Sequence, residues 1–576
     1  MVTPHIRLSQ SAEYRKNYIV QENKLWCQFC NVEIDHERKN SVDKHIKTLK
    51  HLNNKNKNNS NLLIQRTLPS FENTLNEREK INKEIVEAFT YADIPLEKIE
   101  KLKPFLLNHC KNAGLITGAN QLHKKYLPLS YEIALQKLKN DVINKIICLT
   151  IDETTDRCGR HAVNILFSFD NKTKLAKTEF LSNVNASSIS QFVMNTIHFY
   201  NISYENIIFF ISDNASYMKL AYLNLSPFLP NLKHNCCLAH ILNLIGEAWV
   251  NFQKFELVDK LIMNFKSIFT YNSQRKIRWK EHLLQNGIES PTLAPLPVKT
   301  RWNSWFLFLC WIKPLYSHLI TFVTAEYSIN HDTFCQNRSH VFCVKIFIYF
   351  ITYNSKRLIN DLEFFKIRNK AIAPFVYSRI VSLQAFLSSG TRNPPISNEI
   401  FQLLNEENQD IASFVSLFSR AFILANEKCE KHISHHPALL FFKAIQCFDP
   451  RFIQSNSSNH NMENYRIIKE FYLPTDTLIQ EWAIYCGLNE SIEKFDDLDL
   501  YWRGKRHILP ELSSLALIYI WLPVSGVDIE RSFSSYKSIL SDRRVALKEE
   551  NIQMLNFLYF NLSNNDDYNN ELMIYE

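Results

Sequence analysis

The stretch that decides the fold is Lys145-Ile-Ile-Cys-Leu-Thr-Ile-Asp152, a mostly apolar run that ends in a carboxylate. Its length and its content of Ile, Leu and Thr predict a buried β-strand. Downstream, the apolar patterns predict two strands, an amphipathic helix and a further strand, over 162–169, 175–181, 188–200 and 207–212. Asp213 follows the last of these strands directly. This β-β-β-α-β order of elements predicts an α/β region.

Two acids therefore stand at strand ends, and a third occurs in a late block, Ser525-Gly-Val-Asp-Ile-Glu-Arg-Ser-Phe533. Taken singly, Asp152 and Asp213 fit turn or helix-cap residues, and Glu530 fits a surface ion pair. If the first and fourth strands are neighbours in the sheet, however, both aspartates lie at one edge. Three carboxylates brought together there could hold a pair of divalent metal ions.

The N-terminal region carries the clearest metal-ligand spacing. Cys27 and Cys30 form a Cys-x2-Cys pair, and His45 and His51 follow with five residues between them, which predicts a tetrahedral zinc site. Lys44, Lys47 and Lys50 are predicted to share one face of the helix that bears the histidines. That face could contact DNA phosphates or could be a solvated surface. The polar run 53–61 is predicted to be a flexible tether.

Two further motifs leave alternatives open. Arg301 and Trp302 could offer a cation and a stacking plane to an unstacked base, whereas the neighbouring tryptophans could instead be core residues. Cys237 and His240 could form half of a metal site, but no second pair at ligand spacing follows closely. A structural role is therefore favoured for both residues.

Composition narrows the class of protein. The net charge of +8 is uneven, because residues 1–60 hold 11 Lys and Arg but 6 Asp and Glu, which suits a phosphate-binding module. Thirteen scattered cysteines and the absence of an apolar leader favour a reducing compartment. The longest apolar runs are shorter than the roughly 20 residues of a membrane span, so no membrane association is expected. A total of nine glycines argues against a glycine-rich phosphate loop.

Together these motifs resemble the hAT DNA transposases, in a form with an N-terminal zinc finger of the BED or CGG-repeat-binding type. The resemblance rests on the order and separation of the motifs, which are the Cys27/Cys30/His45/His51 set, Asp152, Ser212-Asp-Asn-Ala215, Cys237-x-x-His240, Thr300-Arg-Trp-Asn-Ser304 and Ile529-Glu-Arg-Ser-Phe533. It implies an RNase H-like core, a mixed five-stranded sheet flanked by helices, that is interrupted by a large all-α insertion. The implied domains are a zinc finger with its tether (1–60), a helical dimerisation or DNA-binding segment (70–140), the first part of the core (141–254), the insertion (255–505), the last part of the core with the hAT dimerisation region (506–562), and a disordered tail (563–576).

The resemblance also implies an activity. Asp152, Asp213 and Glu530 would be an Asp-Asp-Glu triad that holds Mg²⁺ or Mn²⁺ and cuts and joins transposon ends in the nucleus, through DNA hairpins. Trp302 would stack on a displaced base. The protein would form a homodimer or higher homo-oligomer through helically spaced apolar residues near its C-terminus, namely Leu540, Leu547, Ile552, Leu555 and Leu558.

The sequence departs from the family pattern at two positions, and two functions other than DNA cutting are compatible with its motifs. Ile529 stands where the family often has Ser or another small residue, and Tyr217 stands where it often has Asn. A domesticated descendant that binds DNA and dimerises without cutting, as a transcription or chromatin regulator, would keep the same motifs. A helical nuclear scaffold, in which the acids are helix caps, is the third hypothesis.

Overall fold

The structure is a computed structural model that describes residues 2–61, 68–270, 272–293, 295, 302–326, 338–455, 460–488, 490, 497–540, 544 and 547–563. For residues 56–61, 68–75, 302–303 and 338 the description covers the backbone alone. The chain forms two compact units. The smaller comprises Met1–Ile85 and Ile99–Gly118, and the larger comprises Val86–Lys98 and Ala119–Glu576. Arg301 and the tail beyond Ser563, both named in the sequence predictions, lie outside the described residues.

The smaller unit begins with a three-stranded antiparallel sheet, order β1-β2-β3, among short helices. Its elements are α1 (Pro4–Ser9), α2 (Ala12–Asn17), β1 (Tyr18–Gln21), β2 (Lys24–Cys27), β3 (Glu33–Ile34), α3 (Lys39–Ile46) and α4 (Leu49–Asn61). Six buried side chains form its core: Tyr14, Tyr18, Leu25, Cys27, Ile34 and Val42. The run 53–61, predicted as a flexible tether, instead continues helix α4.

Helices follow as predicted over residues 70–140. They are α5 (Leu68–Tyr91), α6 (Ile99–His109), α7 (Ala119–Gln121) and α8 (Leu127–Asp141). In the smaller unit, Asn82 Nδ2 donates to the carbonyl of Leu115 at 2.9 Å, and Asn82 Oδ1 accepts from the Thr117 amide at 2.8 Å. This buried asparagine fixes the turn after α6, because it satisfies backbone groups that water cannot reach.

The larger unit is built on a mixed five-stranded sheet with the order β6-β5-β4-β7-β8. The strands are β4 (Ile147–Thr155), β5 (His161–Phe169), β6 (Lys172–Leu181), β7 (Ile207–Ser212) and β8 (Lys233–Cys236). The first three are antiparallel neighbours, whereas β7 pairs parallel with β4 and β8 pairs parallel with β7. The first and fourth predicted strands are therefore neighbours, which was the condition for bringing the two aspartates together.

Helices from before and after the insertion complete this core. They are α9 (Ala186–Phe199), α10 (Ser216–Leu225), α11 (Leu238–Val250), α25 (Pro510–Ile520), α26 (Val527–Ile539) and α27 (Glu549–Ser563). Helix α26 packs on β4 and β5, and α27 packs on β6 and α8. The apolar residues predicted to form the dimer contact pack inside the chain: Leu540, Ile552, Leu555 and Leu558 are buried and Leu547 is partly buried. Their spacing reflects that internal contact, since helical periodicity identifies a buried face without its partner.

The predicted insertion is helical throughout its described part. It contains α12 (Glu256–Phe269), α13 (Ser273–Gln285), α14 (Trp302–Ile312), α15 (Tyr316–Glu326), α16 (Arg338–Phe365), α17 (Val376–Arg392), α18 (Asn398–Glu406), α19 (Ile411–Ile433), α20 (Leu439–Ile445), α21 (Pro450–Ser455), α22 (Lys469–Tyr472), α23 (Asp476–Gly487) and α24 (Leu498–Lys505). Its core is rich in aromatic rings. Phe350 stacks on Phe418 at 3.8 Å between centroids, and Trp249 of α11 packs edge-on against Phe422.

One helical stretch of the insertion corrects the expectation that every apolar segment is too short to span a membrane. Ser304–Glu326 is long and apolar enough to cross a membrane by length and composition, and half of its most apolar window is buried inside the fold. A core helix of a soluble protein passes the same test. Here Trp305, Phe308 and Phe322 are buried in the insertion core, and a 3-10 turn at Lys313–Leu315 interrupts the stretch.

Helices α17 and α19 approach closely at Gly390, and this contact gives a stability prediction. A Cβ at Gly390 would lie 2.2 Å from Cδ1 of Phe422. Because that ring is buried among other aromatic rings, Gly390→Ala should destabilise the larger unit by roughly 1–3 kcal/mol in urea unfolding. Gly504→Ala is the matched control, since nothing lies within 4 Å of its Cβ position and alanine favours the helix. An unchanged midpoint for Gly390→Ala would contradict this packing.

Candidate functional site

The first two acids lie on adjacent parallel strands: Asp213 follows the last residue of β7, whereas β4 continues three residues beyond Asp152, which the sequence analysis had placed at the strand end. Thr150 of β4 pairs with Ile211 of β7, so Asp152 and Asp213 each follow two residues later at the same edge of the sheet. Asp152 Oδ1 accepts from the Glu153 amide at 2.8 Å, and Asp213 Oδ1 accepts from the Ala215 amide at 3.1 Å. The second contact is a turn of the kind expected for an isolated aspartate before a helix.

The third acid is delivered by α26, whose first turn contains Glu530. The helix is anchored at both ends. At its start the Gly526 amide donates to Sγ of Cys237 at 3.1 Å, and near its end the Tyr536 hydroxyl donates to Oδ2 of Asp156 at 2.7 Å. A side chain larger than hydrogen at Gly526 would contact Cys237 and Thr150, which shows how closely the helix start approaches the sheet.

A buried network of hydrogen bonds fixes α26 against the sheet. Asn164 Nδ2 donates to Ser532 Oγ at 2.7 Å, and Asn164 Oδ1 accepts from Thr178 Oγ1 at 2.7 Å. Asn556 of α27 donates to that same threonine hydroxyl at 3.0 Å. All four side chains are buried, so these bonds fix the helix two residues beyond Glu530 against β5 and β6.

The electrostatics show that the three acids interact. Burial, together with the charges of Asp213 and Glu530, raises the pKa of Asp152 to about 7. Like charges at short distance oppose one another's ionisation, so a divalent cation would be favoured at this edge. The carboxylates are nevertheless more widely spaced than ligands of a single small ion. Among the described residues, only the cysteine and histidine set of the smaller unit has ligand atoms within 4.8 Å of one another.

Two neighbours of the triad were not recognised as site residues from the sequence. Glu153 adds a fourth carboxylate, and its charge also raises the pKa of Asp152. Tyr217, in the first turn of α10, is hydrogen-bonded to Glu153. Burial, with the charges of Glu153 and Asp213, raises the pKa of Tyr217 well above its usual value, so its hydroxyl stays a donor. The sequence signals were the adjacency of Glu153 to Asp152 and the departure of Tyr217 from the family pattern, and neither identified a site residue.

Cys237 and His240 lie beside the triad, on or just before α11. Burial raises the pKa of Cys237 to about 11, so the residue remains a thiol that accepts from Gly526. Two histidines, His432 in the last turn of α19 and His436 just after the helix, extend this support. Asn214 donates to Nδ1 of His432 at 2.8 Å, and His436 donates to the carbonyl of Cys236 at 2.9 Å. The insertion thereby holds the loop that carries Asp213.

The structure gathers the four predicted zinc ligands. Nδ1 of His51 lies 3.3 Å from Sγ of Cys27 and 3.8 Å from Sγ of Cys30. Nε2 of His45 is buried and has no hydrogen-bond partner among the described residues, so a metal ion would satisfy it. Burial lowers the pKa of both histidines, which favours the neutral, metal-binding imidazole. The set is compatible with a Cys2His2 zinc centre.

A residue that the sequence analysis missed orients this centre. Asn17 is fully buried, and its Oδ1 lies 3.1 Å from Nε2 of His51. If that nitrogen carries the proton, Nδ1 is left free to bind the metal, as second-shell partners of histidine ligands commonly arrange. Nothing in the spacing of Asn17 from the ligands would have identified it.

The basic residues predicted to contact DNA are exposed, but their arrangement differs from the prediction. Lys44 lies on α3, Lys47 follows its last residue, and Lys50 lies on α4. The helix breaks because the Thr48 hydroxyl accepts from the His51 amide at 3.2 Å and caps α4. The lysines therefore do not share one face of one helix.

Two tryptophans of the stretch predicted to stack on a base, Trp302 and Trp305, both lie on α14. Trp302 begins α14, and its side chain is outside the description. Trp305 is buried and donates to Asp259 at 2.8 Å, so this second tryptophan is a core residue.

Comparisons with known proteins match both ends of the chain. Residues 2–57 match the family model for the CGGBP1 N-terminal domain, residues 73–129 match the CGGBP1 helical domain, and residues 485–562 match the hAT family C-terminal dimerisation region. CGG triplet repeat-binding protein 1 of Homo sapiens and of Mus musculus are each 30% identical to this chain over 147 residues. That alignment covers 24% of this chain and 86% of either relative.

The matches decide between the two finger types suggested by the sequence, since the N-terminal model is of the CGG-repeat-binding kind. They also explain the two-part character of the chain. Part of the chain resembles most of a small repeat-binding protein whose two domains match residues 2–57 and 73–129, and its last part carries the hAT family C-terminal dimerisation region. The chain therefore belongs with the CGG triplet repeat-binding protein 1 family through its N-terminal and helical domains, and it carries the C-terminal dimerisation region of the hAT family.

Proposed function

We propose that the chain is a DNA transposase that cuts transposon ends and joins them to target DNA, with Asp152, Asp213 and Glu530 as its catalytic acids. The observation that carries the proposal is electrostatic. Burial, together with the charges of an acid on a loop and an acid on a helix beyond the insertion, raises the pKa of Asp152 to about 7. Clustered carboxylates repel one another, so the cluster destabilises the fold unless a divalent cation neutralises it. Such a costly arrangement of acids is typical of functional sites.

The three acids fit a metal centre of this kind, because they offer only hard oxygen ligands at the mouth of a buried edge. Bound Mg²⁺ or Mn²⁺ would activate the attacking oxygen and neutralise charge at the phosphate. The protein residues would orient the site. The Cys237 and Asn164 contacts hold the start and the underside of α26, and the Asn214–His432 bond holds the loop of Asp213. Tyr217 supplies a protonated hydroxyl next to the acids.

The sheet supports an RNase H-like assignment for the core. The three antiparallel and two parallel strands form a mixed five-stranded sheet of the general kind that the sequence resemblance implied, with Asp152 on its first strand and Asp213 directly after its fourth. The zinc finger is proposed to bind DNA, as the name of the CGG triplet repeat-binding relatives indicates for those proteins. Lys44, Lys47 and Lys50 would contact phosphates, and Arg301 with Trp302 would hold a displaced base of a hairpin intermediate. The C-terminal region would dimerise, and the protein would act in the nucleus.

The test is DNA cutting by the purified full-length protein. With Mn²⁺, the wild-type protein should cleave DNA that carries the inverted repeats flanking its coding sequence, and Glu530→Gln should reduce cleavage by about 1,000-fold or more while binding persists. Glu549→Gln is the matched control, because Glu549 is also an exposed acid in the first turn of a helix. Wild-type protein that binds these ends and never cuts them would favour the domesticated regulator instead.

A further inference from the structure

A cleft of about 500 Å³ lies beside the start of the helix that carries Glu530. Three stretches of chain line most of it, namely the β5–β6 turn over 168–173, the end of α16 with the following loop over 365–372, and the segment 520–528, and Ser563 completes the lining. The last segment leads directly into α26. The cleft is therefore continuous with the catalytic helix, and its cationic lining residues were not singled out by the sequence motifs.

The loop after α16 is fixed to the start of α26 by two contacts. Ser525 Oγ donates to the carbonyl of Phe365 at 2.7 Å, and the Arg368 guanidinium forms an ion pair with Asp528. Arg531 also approaches the Asp528 carboxylate, at 3.4 Å. These contacts join the insertion to the C-terminal part of the core, so the cleft is a built feature of the larger unit.

The charge of the lining is one-sided. Four cations, Lys172, Lys366, Arg368 and Lys370, face a single carboxylate, that of Asp528. Arg368 is paired with that carboxylate, and Lys366 lies 3.2 Å from a glutamate outside the cleft. Within the described part of the chain, Lys172 and Lys370 form no ion pair. The cleft therefore keeps two cations for a ligand.

The rest of the lining suits a chain of sugars and phosphates. Apolar side chains, among them Phe169 and Trp521, form part of the wall, and Asn171, Thr173 and Asn369 add neutral polar groups. Lysines act as point charges on flexible stems and do not fix the geometry of one small anion. Cations distributed around an elongated wall are the usual way to follow a nucleic-acid backbone.

We propose that this cleft binds the phosphodiester backbone of the DNA strand that leads to the acids at Glu530, with Lys172 and Lys370 as its phosphate contacts. The inference rests on the proposed transposase function, since it names how the DNA reaches that site. It is separable from catalysis, because strand binding in the cleft requires neither the acids nor their metal ions.

The experiment measures DNA affinity against salt concentration for the full-length protein. The variant is Lys172→Glu with Lys370→Glu, and the control is Lys137→Glu with Lys280→Glu, two exposed lysines of the larger unit that do not line the cleft. The probe is a fluorescent DNA duplex of arbitrary sequence, in buffer that contains zinc and lacks Mg²⁺ and Mn²⁺. Matching circular dichroism and melting curves establish that all proteins are folded.

We expect the cleft variant to bind less tightly and its plot of log affinity against log salt to become shallower by about 1.8, which is about 0.9 for each phosphate that is no longer neutralised. The control pair should keep the wild-type slope. An unchanged slope in the cleft variant, or an equal change in both pairs, overturns the cleft assignment even if the wild-type protein cuts DNA. A selective change with no cutting under Mn²⁺ supports the cleft and rejects the transposase proposal.

Discussion

Replacing Asp152 by asparagine is expected to make the metal-free protein more stable above about pH 7 and to abolish DNA cutting. Burial and the charges of Asp213 and Glu530 raise the pKa of Asp152 from 3.8 to about 7. A group with a raised pKa stabilises the fold while it is protonated. That stabilisation is complete below 3.8 and is lost as the pH rises through about 7. The ionised wild-type carboxylate therefore destabilises the site at higher pH.

The size of this effect follows from the two pKa values. Their difference corresponds to roughly 4 kcal/mol between the protonated and ionised forms. Asparagine has the same shape, carries no charge, and its Oδ1 can still accept from the Glu153 amide. Asp152→Asn should therefore unfold at higher urea concentration than the wild-type protein above about pH 7, and the advantage should shrink toward pH 4. Asp141→Asn, at an exposed helix end, is the control and should change little.

Added Mg²⁺ or Mn²⁺ should reverse the order of stability, so that the wild-type protein becomes more stable than Asp152→Asn. Mg²⁺ or Mn²⁺ that binds the three acids stabilises only the folded wild-type protein, so it should raise the wild-type melting temperature and leave that of Asp152→Asn nearly constant. Destabilisation by asparagine, together with an equal response of both proteins to metal, would show that the acids do not form a shared cation site.

Loss of zinc is expected to unfold the N-terminal module. Six buried side chains form its core, too few to fold residues 2–57 without a metal, and structural zinc contributes on the order of 10 kcal/mol in units of this size. Cys27→Ser should therefore release zinc, expose the module to proteases and remove its DNA binding. The larger unit, which has its own core, should keep its melting transition.

The matched control for this change is Cys110→Ser. Cys110 belongs to the same unit but is exposed and lies outside the ligand set, so its replacement should leave zinc content and protease resistance unchanged. Atomic absorption of the purified proteins and proteolysis with and without a chelator make the comparison. A Cys27→Ser protein that retains a resistant module would mean that the hydrophobic core suffices.

Much of the core could be predicted from local sequence. Ile147–Ile151 and Ile207–Ile211 are short apolar runs of strand length; Asp213 marks the end of the second strand, whereas the first strand continues past Asp152 to Thr155. The finger ligands were predictable for a similar reason, because zinc requires particular residue types at fixed spacing. These signals are encoded within a few dozen residues, where the chain's own geometry restricts the outcome.

The remaining features depend on contacts that no local pattern encodes. The ion pair between Arg368 and Asp528 joins segments that are distant in sequence. The helix break at Thr48 comes from one hydroxyl that competes with the helix for a backbone amide. Ile552 and Leu558 were predicted at a dimer contact, but both are buried within the chain. Helical spacing shows that a face is covered, and it does not distinguish a second copy from another part of the same fold.

The polar network under α26 has a consequence for biosynthesis. Asn164 emerges from the ribosome early, whereas its partners Ser532 and Asn556 emerge only after the entire insertion has been made. Domains generally begin to fold from the N-terminus during synthesis, and contacts of long sequence separation form late. A nascent or prematurely terminated chain would thus display its DNA-binding finger together with two of the three acids. If the chain cuts DNA as proposed, that competence would be reached only when translation is essentially finished, so unfinished chains could bind DNA but could not cut it.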